Sequence, residues 1–255
     1  MNKIVKYIIF DIGRNKIILG YTVCLLLIAL SLFNLEDGGA KGILSLLNII
    51  LIIVPLVSIV FATIYLYNAA EFIELLVSQP IRRTRLLGSL FAGLAIALTV
   101  SFLIGIGAPV LIYHPRGAGL MLVVVGTALT LVFTGLSVLA AVLTRDKAKG
   151  IGVAVLLWFY FALLFDGIVL FILFQFSDYP LEKTSIALSL LNPIDLGRIM
   201  ILLKMDVSAL MGYSGAVFRQ FFGGMTGSLI AGIALLLWAG LPFLLALRKF
   251  SRKDL

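Results

Sequence analysis

The chain has 255 residues, of which 62% are hydrophobic and only 13% are charged. Soluble domains are nearer half apolar and a quarter charged, so this composition excludes a soluble globular protein. It predicts an all-α integral membrane protein, with one transmembrane domain over residues 1–255. The net charge of +8 is explained by basic residues that orient the chain in a membrane, and we expect no nucleic-acid partner.

The N-terminal 16 residues predict a basic amphipathic helix that would lie in the headgroup layer of the membrane. The alternative is a frayed helix that only leads into the first span. A cleaved signal peptide is disfavoured, because the following apolar run is long and no small-x-small site precedes Glu36. The apolar side of the helix comprises Ile4, Val5, Ile8, Ile9 and Ile12, and the basic side comprises Lys3, Lys6 and Arg14.

Six apolar runs are long enough to cross a bilayer as helices. They are residues 17–33, 43–67, 86–113, 118–143, 151–176 and 216–247. Small side chains recur every four positions in the third run, which predicts a face on which another helix packs closely. These are Ser89, Gly93, Ala97, Ser101 and Gly105.

A short charged segment, residues 69–79, separates spans 2 and 3 and predicts one amphipathic helix. Pro80 disfavours helical geometry at Gln79 and ends it. The segment is either a lever that a partner grips or a surface turn that only connects two spans. Phe72, Leu75, Leu76 and Gln79 lie near one face, and Glu71, Glu74 and Ser78 share another.

The sequence EFIELLVSQPIRR, residues 71–83, resembles the coupling helix of ABC-2 type ATP-binding-cassette permeases. Phe72-Ile73 stands where that family commonly has Gly-Thr. The resemblance implies a homodimeric permease with six spans and two cytoplasmic ABC ATPase subunits that bind ATP and magnesium. It also implies ATPase contacts from Glu71, Phe72, Glu74, Leu75, Ser78, Gln79, Pro80, Arg82 and Arg83.

The chain carries no G-x-x-x-x-G-K-[ST], G-x-S-x-G or H-E-x-x-H motif. We therefore expect no catalytic residue and no cofactor in this chain, and ATPase activity in a partner. Two other functions stay open at this point. One is export of a lipid or small solute, and the other is a membrane anchor or assembly factor without an ATPase.

Basic residues predict which ends of the spans face the cytoplasm. The N-terminal helix, the Pro80 loop, residues 144–150 and the C-terminus hold four, three, three and four of them, which is 14 of the 20 lysines and arginines. These regions all fall on one side, so we expect both termini in the cytoplasm of a bacterium and the chain in its inner membrane.

The one long loop, residues 177–215, is predicted to fold as short helices on the outer surface of the bundle. Asn192 is a good N-cap, Pro193 suits the first helical position, and Asp195 falls in the first turn.

Residues 191–199 and 203–218 resemble the segment before the last span of NosY-type permeases, which belong to the machinery that matures the copper sites of nitrous oxide reductase. This second resemblance implies a periplasmic copper-maturation partner. The expected contacts are Asn192, Pro193, Asp195, Arg198, Asp206 and Tyr213.

Asp166 is the one acidic residue within a predicted span, which makes it a candidate functional site. It is interpreted as a cation or proton site, as a hinge with Gly167, or as a polar contact with a neighbouring helix. Met200, Met205 and Met211 are soft-ligand candidates for copper, but their spacing does not place them on one helical face, which favours packing. We therefore expect no metal site in this chain.

Overall fold

The computed structural model describes residues 2–35, 40–78, 82–176, 182–205, 220–222 and 224–251. This part of the chain is helical almost throughout. Its helices are α1 (Asn2–Gly13), α2 (Lys16–Leu35), α3 (Ala40–Asn68), α4 (Ala70–Val77), α5 (Arg83–Phe102), α6 (Ala108–Tyr113), α7 (Ala118–Leu143), α8 (Lys147–Phe159), α9 (Phe165–Gln175), α10 (Glu182–Leu190), α11 (Pro193–Lys204) and α12 (Met225–Ser251), with π-helical turns at Leu103–Gly107 and Tyr160–Leu164.

The six predicted spans are confirmed in the described residues. Each has the length and apolar composition that a membrane crossing requires. Span 3 joins α5 to α6 and span 5 joins α8 to α9, each through one of the π-helical turns. The spans are Lys16–Leu35, Lys41–Asn68, Arg83–Tyr113, Ala118–Leu143, Lys147–Gln175 and Thr226–Ser251.

The strip of small residues on span 3 is a packing face, as predicted. A Cβ at Gly93 would lie 2.6 Å from Cγ2 of Ile8 on α1. A Cβ at Gly105 would lie 2.8 Å from Cβ of Leu25 on α2. The absence of side chains at these positions lets α1 and α2 approach the backbone of span 3.

The α7 helix is the most buried of the spans and packs against α3, α5, α11 and α12. Buried side chains form two clusters along the bundle. The smaller one lies at the end that carries α1, α4 and the C-terminal end of α12, which we call the α4 end. The larger one includes residues of α11, and we call that end of the bundle the α11 end.

The prediction that the long loop folds as helices on the bundle surface is wrong in its placement. The helices α10 and α11 form, but they meet at 112°. Helix α11 packs inside the bundle, against α3, α7 and α12. A Cβ at Gly197 would lie 2.7 Å from Val125 and 3.7 Å from Leu129, both on α7. Leu129 is 11 residues from the start of α7, about 16 Å along the helix. The bend of 112° is more than a right angle, so we interpret the pair as a re-entrant hairpin and not as one broken span.

The backbone at the re-entrant elbow is satisfied by side chains, which the interior of a membrane protein requires. The Trp238 indole N–H on α12 donates to the Leu190 carbonyl at 3.1 Å. The Asn192 side chain caps α11, because its Oδ1 accepts from the Ile194 N–H at 3.0 Å. The N-cap predicted from the sequence is therefore confirmed.

Candidate functional site

The α4 helix has one buried face and one exposed acidic face. Ile73 and Leu76 are half-buried and pack against the hydrophobic cluster at the α4 end. Phe72 is half-buried beside them. The opposite face is solvent-accessible and follows the helical spacing i, i+3, i+4, i+7. It consists of Glu71, Glu74, Leu75 and Ser78.

Leu75 lies on a different face from the predicted one. The sequence pattern grouped it with Phe72 and Leu76, but its side chain is 67% exposed among the two glutamates. A solvent-exposed leucine at the centre of a charged face offers an apolar contact to a partner. The face thus combines two negative charges with one hydrophobic side chain.

Helix α1 contacts α4 and the end of α3, through two interactions that the sequence did not reveal. The ring of Tyr7 lies 5.5 Å, centroid to centroid, from the ring of Phe72. The Tyr65 hydroxyl, near the end of α3, donates to Asp11 Oδ2 at 3.0 Å. Helix α1 would therefore either resist a displacement of α4 or move with it.

The loop between α7 and α8 is tied to the end of α3. The Tyr67 hydroxyl shares a short hydrogen bond with the Thr144 hydroxyl. The Lys147 ammonium donates to Asn68 Oδ1 at 2.7 Å. Because Asn68 is the last residue of α3 and Ala70 is the first of α4, these bonds join the base of α4 to spans 4 and 5.

A cavity of about 380 Å³ lies beneath α4. One wall comes from α4 itself, including Glu74 of its exposed face, and the others come from the ends of α3, α5, α7 and α12. Tyr67, Ile73, Glu74, Arg145 and Phe250 are among its lining residues. An empty volume behind a short helix leaves room for that helix to shift without compressing the core.

At the α11 end, the predicted polar residues meet in one network. Arg198 Nη1 lies 2.9 Å from Asp166 Oδ2 and 3.1 Å from Asp195 Oδ1. The polar contact expected of Asp166 with a neighbouring helix is thus present, between span 5 and α11. The irregular turn of span 5 is the π-helix Tyr160–Leu164, just before Asp166, rather than the Asp166-Gly167 step.

Two residues assigned to a periplasmic partner are inside the bundle. Asn192 is fully buried and Pro193 is buried, so neither side chain is accessible to a partner. Their burial contradicts that role for both residues. Asp195 and Arg198 are half-buried and keep some accessible surface.

The methionine candidates behave as packing residues where they are described. Met200 is buried within the larger hydrophobic cluster, and Met205 packs against it.

The arginines predicted to contact the ATPase lie at the start of α5. Arg82 precedes α5 and is exposed, while Arg83 is half-buried. Gln79, Pro80, Asp206, Met211 and Tyr213 lie outside the described residues.

Comparison with known proteins places these features in a family. Residues 31–255 match a family model described as ABC-2 family transporter protein. A protein of Pseudomonas aeruginosa named "Probable ABC transporter permease protein NosY" is 28% identical over 263 aligned positions, which cover 95% of this chain and 94% of that protein. A protein of Stutzerimonas stutzeri with the same name is 26% identical and covers 83% of this chain and 80% of its own length.

Proposed function

Because this chain belongs to the ABC-2 transporter family, the permease subunits of ABC transporters, we propose that α4 is its coupling helix and that a separate ABC ATPase moves the spans through it. The chain is a multi-pass membrane protein and is not itself the ATPase. One observation carries the proposal: α4 is a short helix between spans 2 and 3 that exposes Glu71, Glu74 and Leu75 on one face.

The contacts around α4 support a mechanical role. Its buried face rests on the smaller hydrophobic cluster, and the end of α3, which leads into α4, is hydrogen-bonded to α1 and to the start of α8. Packed helices transmit displacement as rigid elements, since a dense interior does not deform continuously. The route we propose runs from α4 through α3 and α7 to α11, which packs on both of those spans.

We further propose the arrangement of the complex. The α4 end carries most of the basic residues and faces the cytoplasm of a bacterium, with both termini on that side. Two copies of the permease would bind two ATPase subunits, with ATP and magnesium held by the ATPases.

The event served on the other side is proposed from the relatives. Two proteins named NosY match 95% and 83% of this chain. Together with the resemblance of residues 191–199 and 203–218, this leads us to infer that the permease drives a copper-maturation step for nitrous oxide reductase through a periplasmic partner. Asp195, Arg198, Asp206 and Tyr213 remain the proposed contacts. In this proposal force, not copper, crosses the membrane.

A second function, export of a lipid, is favoured by one feature. An apolar groove of about 610 Å³ lies between α7, α12 and the elbow of the re-entrant hairpin. Leu136, Leu190, Ile233 and Trp238 are among its lining residues. The groove suits an acyl chain, whereas a hydrophilic solute would find almost no polar side chain there.

The subunit composition of the native complex tests these functions against each other. We expect the permease, purified in mild detergent, to bring down an ABC ATPase in equal amount together with a periplasmic protein. An ATPase without a periplasmic partner would favour lipid export. A permease recovered without any ATPase would contradict the proposed coupling role.

The charge of Glu74 gives a direct test of the coupling face. We expect Glu74→Lys to weaken ATPase binding by about tenfold, because it replaces a favourable charge contact with a repulsive one. Glu74→Gln is the matched control and should lose about threefold at most. Binding is measured by titrating the ATPase onto permease in nanodiscs, and unchanged binding of Glu74→Lys would remove Glu74 from the interface.

A further inference from the structure

Span 5 contains an irregular turn whose hydrogen bonds are out of step with an α-helix. In the π-helix Tyr160–Leu164, the Phe165 N–H bonds to the Tyr160 carbonyl, five residues back. In an α-helix the same N–H would bond to the Phe161 carbonyl, four residues back. The Phe161 oxygen therefore lacks its α-helical partner and is available to another donor.

Asn192 supplies that donor from the re-entrant elbow. Its Nδ2 lies 2.9 Å from the Phe161 oxygen and 3.1 Å from Asp195 Oδ2, while its Oδ1 caps α11. The side chain is fully buried, so all of these bonds are made inside the protein. The one amide thus serves two separate purposes, capping α11 and occupying the carbonyl that the π-helical turn releases.

The ion pair beyond the turn depends on the same geometry. Asp166 lies two residues after the π-helix and reaches Arg198 of α11 at 2.9 Å. If the turn relaxed to an α-helix, the segment after it would rotate by about 100° and advance by about 1.5 Å, the values for one residue. That rotation would carry the Asp166 carboxylate away from Arg198. Loss of the π-helical turn would therefore break the ion pair and remove the free carbonyl to which Asn192 bonds.

We propose that Asn192 is a positioning residue that holds span 5 in its π-helical register, and that it releases Phe161 when the ATPase binds ATP. We call this bond between Asn192 and Phe161 the latch. The Asp166–Arg198 pair opens in the same step, and the outer part of span 5, α9, rotates. This inference rests on the proposed coupling function and names the element that the coupling switches. A two-state element of this kind converts a small shift of packed helices into a discrete rotation.

The rotation is measurable as a distance between two spin labels. Leu120 on α7 and Gln175 at the end of α9 are both exposed and serve as label sites after substitution by cysteine. The native cysteine, Cys24, is exposed and is first replaced by alanine. A rotation of about 100° moves a side chain at the helix surface by about 8 Å, which sets the largest expected change. The complex with its ATPase is measured without nucleotide and with ATP trapped.

The decisive variant is Asn192→Ser, which keeps a capping oxygen but is too short to reach Phe161. We expect it to show the ATP-state distance in the absence of nucleotide. Ser189→Ala is the matched control, because the Ser189 hydroxyl bonds to the Ser185 carbonyl within α10 and does not contact Phe161 in the part of the chain that the structure describes. That variant should keep the resting distance. Asp166→Asn weakens the ion pair at a half-exposed position, so part of the molecules should show the ATP-state Leu120–Gln175 distance without nucleotide.

The outcomes separate this inference from the proposed function. A second label pair at the α4 end, on exposed Thr84 and Ala148, reports whether the ATPase moves that end at all. If this pair responds to ATP but the Leu120–Gln175 pair does not, the latch is overturned and α4 remains the coupling helix. If neither pair responds, both proposals fail. Resting distances in Asn192→Ser and Asp166→Asn would also overturn the latch.

Discussion

Replacing Gly197 with leucine is expected to expel α11 from the bundle and to lower the free energy of unfolding by about 1–3 kcal/mol. A Cβ at this position already lies 2.7 Å from Val125 Cγ1, and Leu51 and Leu129 close the remaining space at 3.7 Å. The three neighbours belong to α3 and α7, so the larger side chain cannot turn aside without moving a span. The measurement is thermal unfolding of the purified permease in mild detergent.

Gly232→Leu is the matched control for this effect. Gly232 lies on α12, and nothing stands within 4 Å of the position its Cβ would occupy. The control should change the unfolding free energy by less than about 0.5 kcal/mol, as substitutions away from packed sites do. A Gly197→Leu protein as stable as the control would contradict the tight packing of the re-entrant hairpin.

The sequence did not predict the re-entrant hairpin because its signals are ambiguous. The two helices of the hairpin, of nine and 12 residues, are too short to cross a bilayer, and Asn192-Pro193 separates them. Short apolar helices between spans fit either the membrane surface or a re-entrant hairpin. The decision depends on partners distant in sequence, such as Val125 against Gly197 and Trp238 against the Leu190 carbonyl.

The elements that the sequence did predict depend on local patterns. The six spans follow from apolar length, the cap of α11 from Asn192-Pro193, and the packing face of span 3 from its small residues. The π-helical turn at Tyr160–Leu164 has no comparable signal, because its released carbonyl is bonded by Asn192, a residue 31 positions away in the sequence. The brace from α1 to α4 likewise joins residues far apart in the chain.

That brace leads to the second large effect, which is expected from Gly93→Val. A Cβ at Gly93 would stand 2.6 Å and 2.8 Å from side-chain atoms of Ile8, so a valine forces α1 off span 3. The displaced α1 loses its ring contact to Phe72 and its bond to Tyr65. We expect the unfolding free energy to fall by about 1–3 kcal/mol, as in other overpacked sites.

The consequence for α4 distinguishes a loss of support from a general loss of stability. Without the Tyr7–Phe72 contact, amide hydrogen exchange in Ala70–Val77 should become about two- to tenfold faster, the equivalent of one aromatic contact. Gly88→Val, on the same helix but with nothing within 4 Å of its Cβ position, should leave that exchange unchanged. Equal exchange in the two variants would mean that α1 does not brace α4, and that α4 depends on the contacts of Ile73 and Leu76.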